Sequence, residues 1–296
     1  MDTAEILKKV RQIEIQTDRL VSETFAGEYL STFKGQGIEF AEVREYIPGD
    51  DVRSIDWNVT ARTGVPYIKK FNETRELTLM IACDVSGSQQ FGSRSKFKQQ
   101  AAAELSALFA FCALQNNDKV GLLLFSDEVE LYVPPRKGKK HILRLIRELI
   151  AFEPRHTKTN LNLCLETLIK VQKHSAIVVL ISDFLQTVPS FEKAFKLAAK
   201  KFDLIPVRIQ DPLEKALPDL PLCLSITDPE TGETDELCLS DGALNRQLSQ
   251  FWASQQKDLE GLFTPCKTEP ILIDTSANTA DPVVRYFKRR AKKIRK

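Results

Sequence analysis

Two short and almost uninterrupted apolar runs, Leu77-Thr78-Leu79-Met80-Ile81-Ala82-Cys83 and Ala176-Ile177-Val178-Val179-Leu180-Ile181, constrain this chain more than any other feature. A strand that is apolar on successive residues, not on alternate ones, must be covered on both faces, as a parallel strand inside a helix-wrapped sheet is. Between and after these runs, helical and extended patterns alternate. Phe97, Ala101, Leu105, Leu108 and Cys112 recur at spacings of three and four and predict a helix over about 96–115. Strands follow at 120–125 and, as a short edge strand ahead of Pro134-Pro135, at 129–133; helices follow at 141–150 and 161–171. Beyond the second apolar run come a helix at 191–200, a strand at 204–209, a helix at 244–262, a last short strand at 271–273 and a helix from Pro282. This order implies an α/β fold with a mainly parallel sheet flanked by helices and joined by right-handed crossovers. Residues 211–241 break the rhythm, because Asp228-Pro229-Glu230-Thr231-Gly232 lies between two short apolar runs and predicts a hairpin insertion.

The first 75 residues have another texture. Residues 4–30 read as a helix, with Ile6, Val10, Ile13, Leu20 and Tyr29 set among charges. From Ser31 to Arg75 the chain is rich in Gly, Asp and Arg, and alternating runs at 38–43 and 67–71 predict strands. Pro48-Gly49 suits the central positions of a type II turn. The division expected is 1–75, an N-terminal helix plus β-rich extension, and 76–296, the α/β domain with its insertion at about 211–241. The cluster Asp50, Asp51, Arg53, Asp56, Trp57 and Arg62 reads either as an internal ion-pair and turn network or as a docking surface, with Trp57 a packing anchor.

With 43% hydrophobic and 28% charged residues, the composition is that of a globular chain. No apolar run approaches the roughly 20 residues of a membrane span. The charged start MDTAEILKKVRQ lacks the apolar core of a signal peptide, so the expected location is cytoplasmic. Six cysteines without CxxC or zinc spacing read as reduced, mostly buried thiols. The formal charge of +2 conceals an asymmetry: residues 285–296 carry eight basic side chains and no acid, so the rest of the chain sums to −6. Val284, Phe287, Ala291 and Ile294 in that tail are spaced as the apolar stripe of a helix laid on the body, with the charges outward. The rival is a basic tail drawn to a membrane surface, nucleic acid or an acidic protein; no nucleic-acid motif accompanies it.

Asp84-Val85-Ser86-Gly87-Ser88 directly follows the first apolar strand, and Asp183 follows the second. Ligands of open α/β sheets bind beyond the carboxyl ends of the strands, where strand order reverses. If the two strands are neighbours there, their carboxylates converge and need a proton or a cation between them. Ser86 and Ser88 add hard oxygens from a loop that Gly87 lets bend, and Thr157-Lys158-Thr159-Asn160-Leu161 adds a hydroxyl before a helix. Oxygen-only ligation selects Mg2+, Mn2+ or Ca2+ over zinc or copper, and few carboxylates with several neutral oxygens favour Mg2+. Taken alone, the string also suits helix capping; its position after a buried strand, facing Asp183, favours the ion.

Asp84, Ser86 and Ser88, with Thr159 and Asp183, resemble the metal-ion-dependent adhesion site of von Willebrand factor A-type domains, which have a Rossmann-like fold. That resemblance implies that these five residues hold the ion directly or through water, leaving one position for a partner's carboxylate. The stretch from Gly35 to Tyr46, then Pro48-Gly49-Asp50-Asp51-Val52-Arg53-Ser54-Ile55-Asp56-Trp57, resembles bacterial proteins of domain-of-unknown-function family 58. Membership implies work with MoxR-type AAA+ ATPases in chaperone-like assembly. One departure is Lys158, where many A-type domains have Gly; it leaves Thr157 as a substitute ligand for Thr159.

An enzyme reading is weaker. Haloacid-dehalogenase-like phosphatases resemble DxDx(T/S), and a metal-dependent hydrolase here would use Asp84 and Asp183. The general-acid position is Ser86, which cannot act as one near neutral pH. The histidines His141, His156 and His174 read as solvated, no GxSxG elbow is present, and Gly35-Gln36-Gly37 completes no nucleotide loop. The reading is therefore a binding module with no catalytic residues.

Overall fold

The computed structural model describes residues 11–12, 39–52, 55–72, 77–93, 96–218, 220, 222–239 and 242–294. The helix expected over 4–30, the segment Gly35 to Ile38 and Arg53-Ser54 lie outside them, apart from the helical pair Arg11 and Gln12. Two compact units result, one within Phe33–Leu77 and one built on Thr78–Lys296.

In the smaller unit, β1 (Glu39–Glu45) and β2 (Tyr67–Asn72) pair antiparallel. The turn at Pro48-Gly49 forms as expected, with Gly49 at φ 112° and the Asp50 amide donating to the Ile47 carbonyl at 3.0 Å. Arg44 grips Asp50 through two hydrogen bonds of 2.9 and 2.8 Å, which hold the Asp50 carboxyl below its usual range. Between the strands lies α1 (Trp57–Thr63), a helix the sequence pattern does not announce because it buries no residue and so has no apolar period. It exists through its ends. Asp56 caps it, accepting from the Asn58 amide at 3.0 Å, and Gly64 closes it at φ 75°. Trp57 is 68% exposed, which overturns its reading as a packing anchor.

The larger unit is a six-stranded sheet in the order β10-β7-β6-β3-β4-β5, comprising β3 (Thr78–Asp84), β4 (Lys119–Phe125), β5 (Val129–Arg136), β6 (Ile177–Ser182), β7 (Asp203–Gln210) and β10 (Ile271–Asp274). All neighbours are parallel except β5 on β4. From β3 the chain moves outward to β4 and β5, then returns to the other side of β3 with β6. Strand order therefore reverses between β3 and β6, the two strands that carry the apolar runs. Every residue of β6 is buried, and all of β3 after Thr78, as double coverage requires.

Helices α2 (Lys98–Gln115), α3 (Lys139–Ala151), α4 (Leu161–Val171), α5 (Val188–Lys201), α7 (Gly242–Phe263) and α8 (Ala280–Ile294) wrap the sheet. Helices α4, α5 and α7 pack Leu165, Phe191, Phe195 and Phe263 against Met80, Val178 and Leu180. Each such fully buried side chain contributes about 1.5–3 kcal/mol of transfer free energy. On α2, thirteen of eighteen residues are buried, so it is apolar nearly all round, and Phe109 meets Phe287 of α8 edge to face at 6.0 Å.

Two boundaries and one buried face differ instructively from the sequence reading. Strand β5 runs on through Pro134 and Pro135 to Arg136, because an edge strand tolerates missing N–H donors. Helix α5 starts at Val188, three residues early, with Pro189 in its first turn. The buried stripe of α8 is Val283, Tyr286, Phe287 and Ala291, while Val284 is only half-buried. Arg289 and Lys293 face outward as expected and bind Glu269, whereas Arg290 is part-buried and binds Asp203 and the Tyr286 hydroxyl.

The insertion is a short helix, α6 (Pro212–Lys215), followed by the hairpin β8 (Cys223–Thr227) and β9 (Thr234–Cys238). Here the reading of six reduced thiols fails, since Cys223 and Cys238 are directly opposed and form a disulfide. No periodicity in so short a hairpin sets its register in advance. Cys83, Cys112 and Cys164 are free and buried, as expected, and Cys266 is half-buried. Among the described residues no helix is long and apolar enough to cross a membrane.

Candidate functional site

Asp84 is the last residue of β3 and Asp183 the first after β6, so the reversal of strand order places both at one crevice, 1% and 2% exposed respectively. Asp84 is fastened on both oxygens. Oδ1 accepts from the Ser86 amide at 3.0 Å and Oδ2 from the Ser182 hydroxyl at 2.8 Å. Burial, then the charge of Asp183, pushes its carboxyl well above the ordinary carboxylate range, against the hydrogen bonds that favour ionisation.

The Ser86 and Ser88 hydroxyls lie 3.1 Å apart in a 3-10 turn, Gly87–Gln90. Gly87 is needed there for close approach and not for positive φ: a Cβ on it would stand 2.2 Å from the Pro229 carbonyl oxygen. The Gly87 amide donates to the Thr157 carbonyl at 2.7 Å, which ties this loop to the one that carries Thr159. Thr159 precedes Asn160, whose side chain caps α4 by accepting from the Leu163 amide at 3.0 Å. Gln186, beyond β6, bonds both the Thr159 carbonyl and the Leu161 amide and locks that loop to the end of β6. Lys158 is exposed.

All five expected residues thus border one crevice, but they are joined by groups that sequence reasoning missed. Glu230, at the tip of the hairpin, accepts from the Thr159 hydroxyl at 3.0 Å through Oε1, and its backbone carbonyl accepts from the Thr157 hydroxyl at 2.8 Å. Burial is the main influence raising the Glu230 pKa, aided by Asp183 and Asp228, while the hydrogen bond from Thr159 opposes it. Lys98, fully buried at the start of α2, donates to Asp183 Oδ2 at 3.0 Å and pairs with Glu214 of α6. Burial favours the neutral amine, yet Asp183 and Glu214 outweigh it and hold Lys98 above its usual value. Arg208 of β7 donates to the Asp183 carbonyl at 3.2 Å and lies 5.0 Å from the centre of the Trp252 ring. Asp183 spends its other oxygen on the Leu185 amide at 3.3 Å. Glu230 and Glu214 had a faint signal as acids within the insertion; Lys98 had none, since a lysine in a helical first turn reads as solvated.

Whether these groups suit a divalent cation is decided by charge and donor type. Asp84, Asp183, Glu214 and Glu230 lie among Lys98 and Arg208, an acidic surrounding in which burial and like charge raise the pKa of Asp84. Ser86, Ser88 and Thr159 add hydroxyl oxygens. Among the described residues there is no metal-binding group of three or more His, Cys, Asp and Glu; the donors at these strand ends are carboxylate and hydroxyl oxygens, the type hard cations take. Of these oxygens, those of Asp183 would be the least available to a cation, because Lys98 already holds one of them. The histidines lie elsewhere: His141 bonds the Val120 carbonyl at 2.9 Å, His156 faces Asp127 and His174 is exposed.

Residues 42–258 match the family model described as protein of unknown function DUF58. An uncharacterized protein of Mycobacterium tuberculosis is 25% identical over 288 residues, 97% of this chain and 90% of that one. The uncharacterized protein YeaD of Bacillus subtilis is 27% identical over 109 residues, 37% of this chain and 25% of that one. Among solved structures, the chain is similar to the conserved hypothetical protein BatB from Bacteroides thetaiotaomicron, with TM-score 0.44, 15% identity, and coverage of 73% of this chain and 99% of that one. It is also similar to a von Willebrand factor type A protein from Catenulispora acidiphila, with TM-score 0.41, 14% identity, and coverage of 76% and 44%. The larger unit is of mixed α/β class, with a mainly parallel sheet wrapped by helices.

Proposed function

The chain belongs to the DUF58 family, and on that premise we propose that it is a non-catalytic protein-binding module whose strand-end site takes a divalent cation, Mg2+ before Mn2+ or Ca2+, and a partner's carboxylate. The observation that carries this reading is a buried Asp84-Asp183 pair at the point where strand order reverses, flanked by the paired Ser86 and Ser88 hydroxyls, with the Thr159 loop tied to theirs through Gly87. Asp84, Ser86, Ser88 and Thr159 would hold the ion, with Asp183 behind them steadied by Lys98. When bound, the ion supplies a point of positive charge for an incoming carboxylate. The chain's own part is to fix the oxygens before binding, through the Ser86 amide, Ser182, Gln186 and the cap at Asn160. A hydrolase using Asp84 as nucleophile fits less well, because Ser86 stands where a general acid is needed.

The partner follows from the family resemblance: a MoxR-type AAA+ ATPase, engaged in chaperone-like assembly. Cytoplasmic placement belongs to the same proposal. Calorimetric titration of Mg2+ into the full chain should give saturable binding that Ser88→Ala weakens about 10–100-fold. Affinity capture from a native lysate, with and without Mg2+, should recover the ATPase only with wild-type chain and ion together. Equal recovery by Asp84→Ala or in chelator would refute the ion's role in recognition.

A further inference from the structure

We infer that the hairpin tip is a built-in occupant of this site, with Glu230 standing where a partner's carboxylate binds, so that the module rests in a self-closed state. This rests on the reading of the site as a cation site. Two residues of the Thr157–Thr159 loop converge on the one tip residue: Thr159 on its carboxylate and Thr157 on its backbone carbonyl. The seat is shaped for it. Gly87 has no side chain, and any Cβ there would collide with the Pro229 carbonyl group, so the tip lies directly on the DxSxS loop.

The tip is also shaped before it docks. The Asp228 side chain accepts from the Glu230 amide at 2.8 Å, and the Gly232 amide donates to the Asp228 carbonyl at 2.8 Å, with Gly232 at φ 75°. A carboxylate delivered on a preset turn within reach of the Asp183 charge adds negative charge to an acidic surrounding, an arrangement that makes sense around a cation. The hairpin can leave at little cost to the core, because all five residues of β8 are exposed. An acidic segment of a partner protein must therefore compete with Glu230, and its apparent affinity falls by the fraction of molecules that are closed.

The test uses the full chain, Mg2+ alone and acetate as the carboxylate probe. Glu230→Ala should weaken Mg2+ binding about tenfold or more, and acetate should restore it, while wild type ignores acetate. Hydrogen exchange should show 228–233 and 87–90 losing protection in Glu230→Ala and, less so, in Glu230→Gln. If wild type binds Mg2+, Ser88→Ala weakens it and both Glu230 variants match wild type with no acetate effect, the resident-ligand idea is overturned and the cation site stands. If wild type binds no Mg2+, both fall.

Discussion

Replacing Lys98 with methionine isolates the energetics beneath the site. The substitution keeps the length and most of the apolar packing of the side chain and removes only the ammonium, which is fully buried between Asp183 and Glu214. Removing one partner from a buried ion pair costs about 3–5 kcal/mol, because the charge left behind has no compensation. Here two carboxylates are left, softened by the amides of Leu185 and Asp211 that still donate to them. We therefore expect Lys98→Met to lose about 3–5 kcal/mol in urea unfolding at neutral pH, read as a lower midpoint with unchanged slope.

The pH dependence has a definite sign. Glu214 already titrates above its ordinary 4.5, burial being the main cause, and without Lys98 it is pushed further. A carboxyl raised in the folded state costs stability when ionised, a penalty complete above its folded pKa and gone below the unfolded one. The deficit of Lys98→Met should thus shrink as pH falls toward 4.5. Lys98 itself, raised in the fold, contributes in full below 10.5 and fades only above. Lys170→Ala, which removes an exposed pair with Glu166, serves as the control and should change nothing resolvable. A loss for Lys98→Met below about 1 kcal/mol, or one independent of pH, would refute this account of a buried network.

Asp84→Asn should stabilise the ion-free chain above pH 4, because an ionised Asp84 is penalised by burial and Asp183, and should abolish Mg2+-induced stabilisation; thermal unfolding with Mg2+ and with chelator measures both. In wild type, Mg2+ at about a hundred times its Kd should add about 2.7 kcal/mol, and no shift on adding the ion would count against the site. Gly87→Ala should unseat the hairpin tip or strain the loop, at about 1–3 kcal/mol, and quicken proteolysis within 222–239; an unchanged cleavage rate and midpoint would deny the close approach. Phe287→Ala in α8 should cost about 3–5 kcal/mol, whereas a tail merely tethered to the body would tolerate it.

Much of the sheet could be read from β3 and β6, since unbroken apolar runs have one structural use, and the acids at their ends needed only the neighbour relation that the fold supplied. The site's remaining groups were illegible for separate reasons. Lys98 is buried by tertiary packing that cancels its usual preference for water, and only the return of the chain to β6 and α6 brings Asp183 and Glu214 to it. Glu230 reaches Thr159 across 71 residues of sequence, through a hairpin whose existence was readable but whose direction was not. The Cys223-Cys238 bridge depends on the register of that hairpin, and α1 on its caps alone. Gly87 was read for flexibility and serves by its lack of volume.

The two borders of the sheet limit how anything can attach to it. Pro134 and Pro135 strip donors from β5 on one side, and β10 on the other offers only four residues. Neither presents the long, regular ladder that an extended peptide needs to add itself as a further strand. Under the proposed function, recognition then falls not to backbone zippering but to side-chain chemistry at the strand ends, where a single carboxylate would decide who docks.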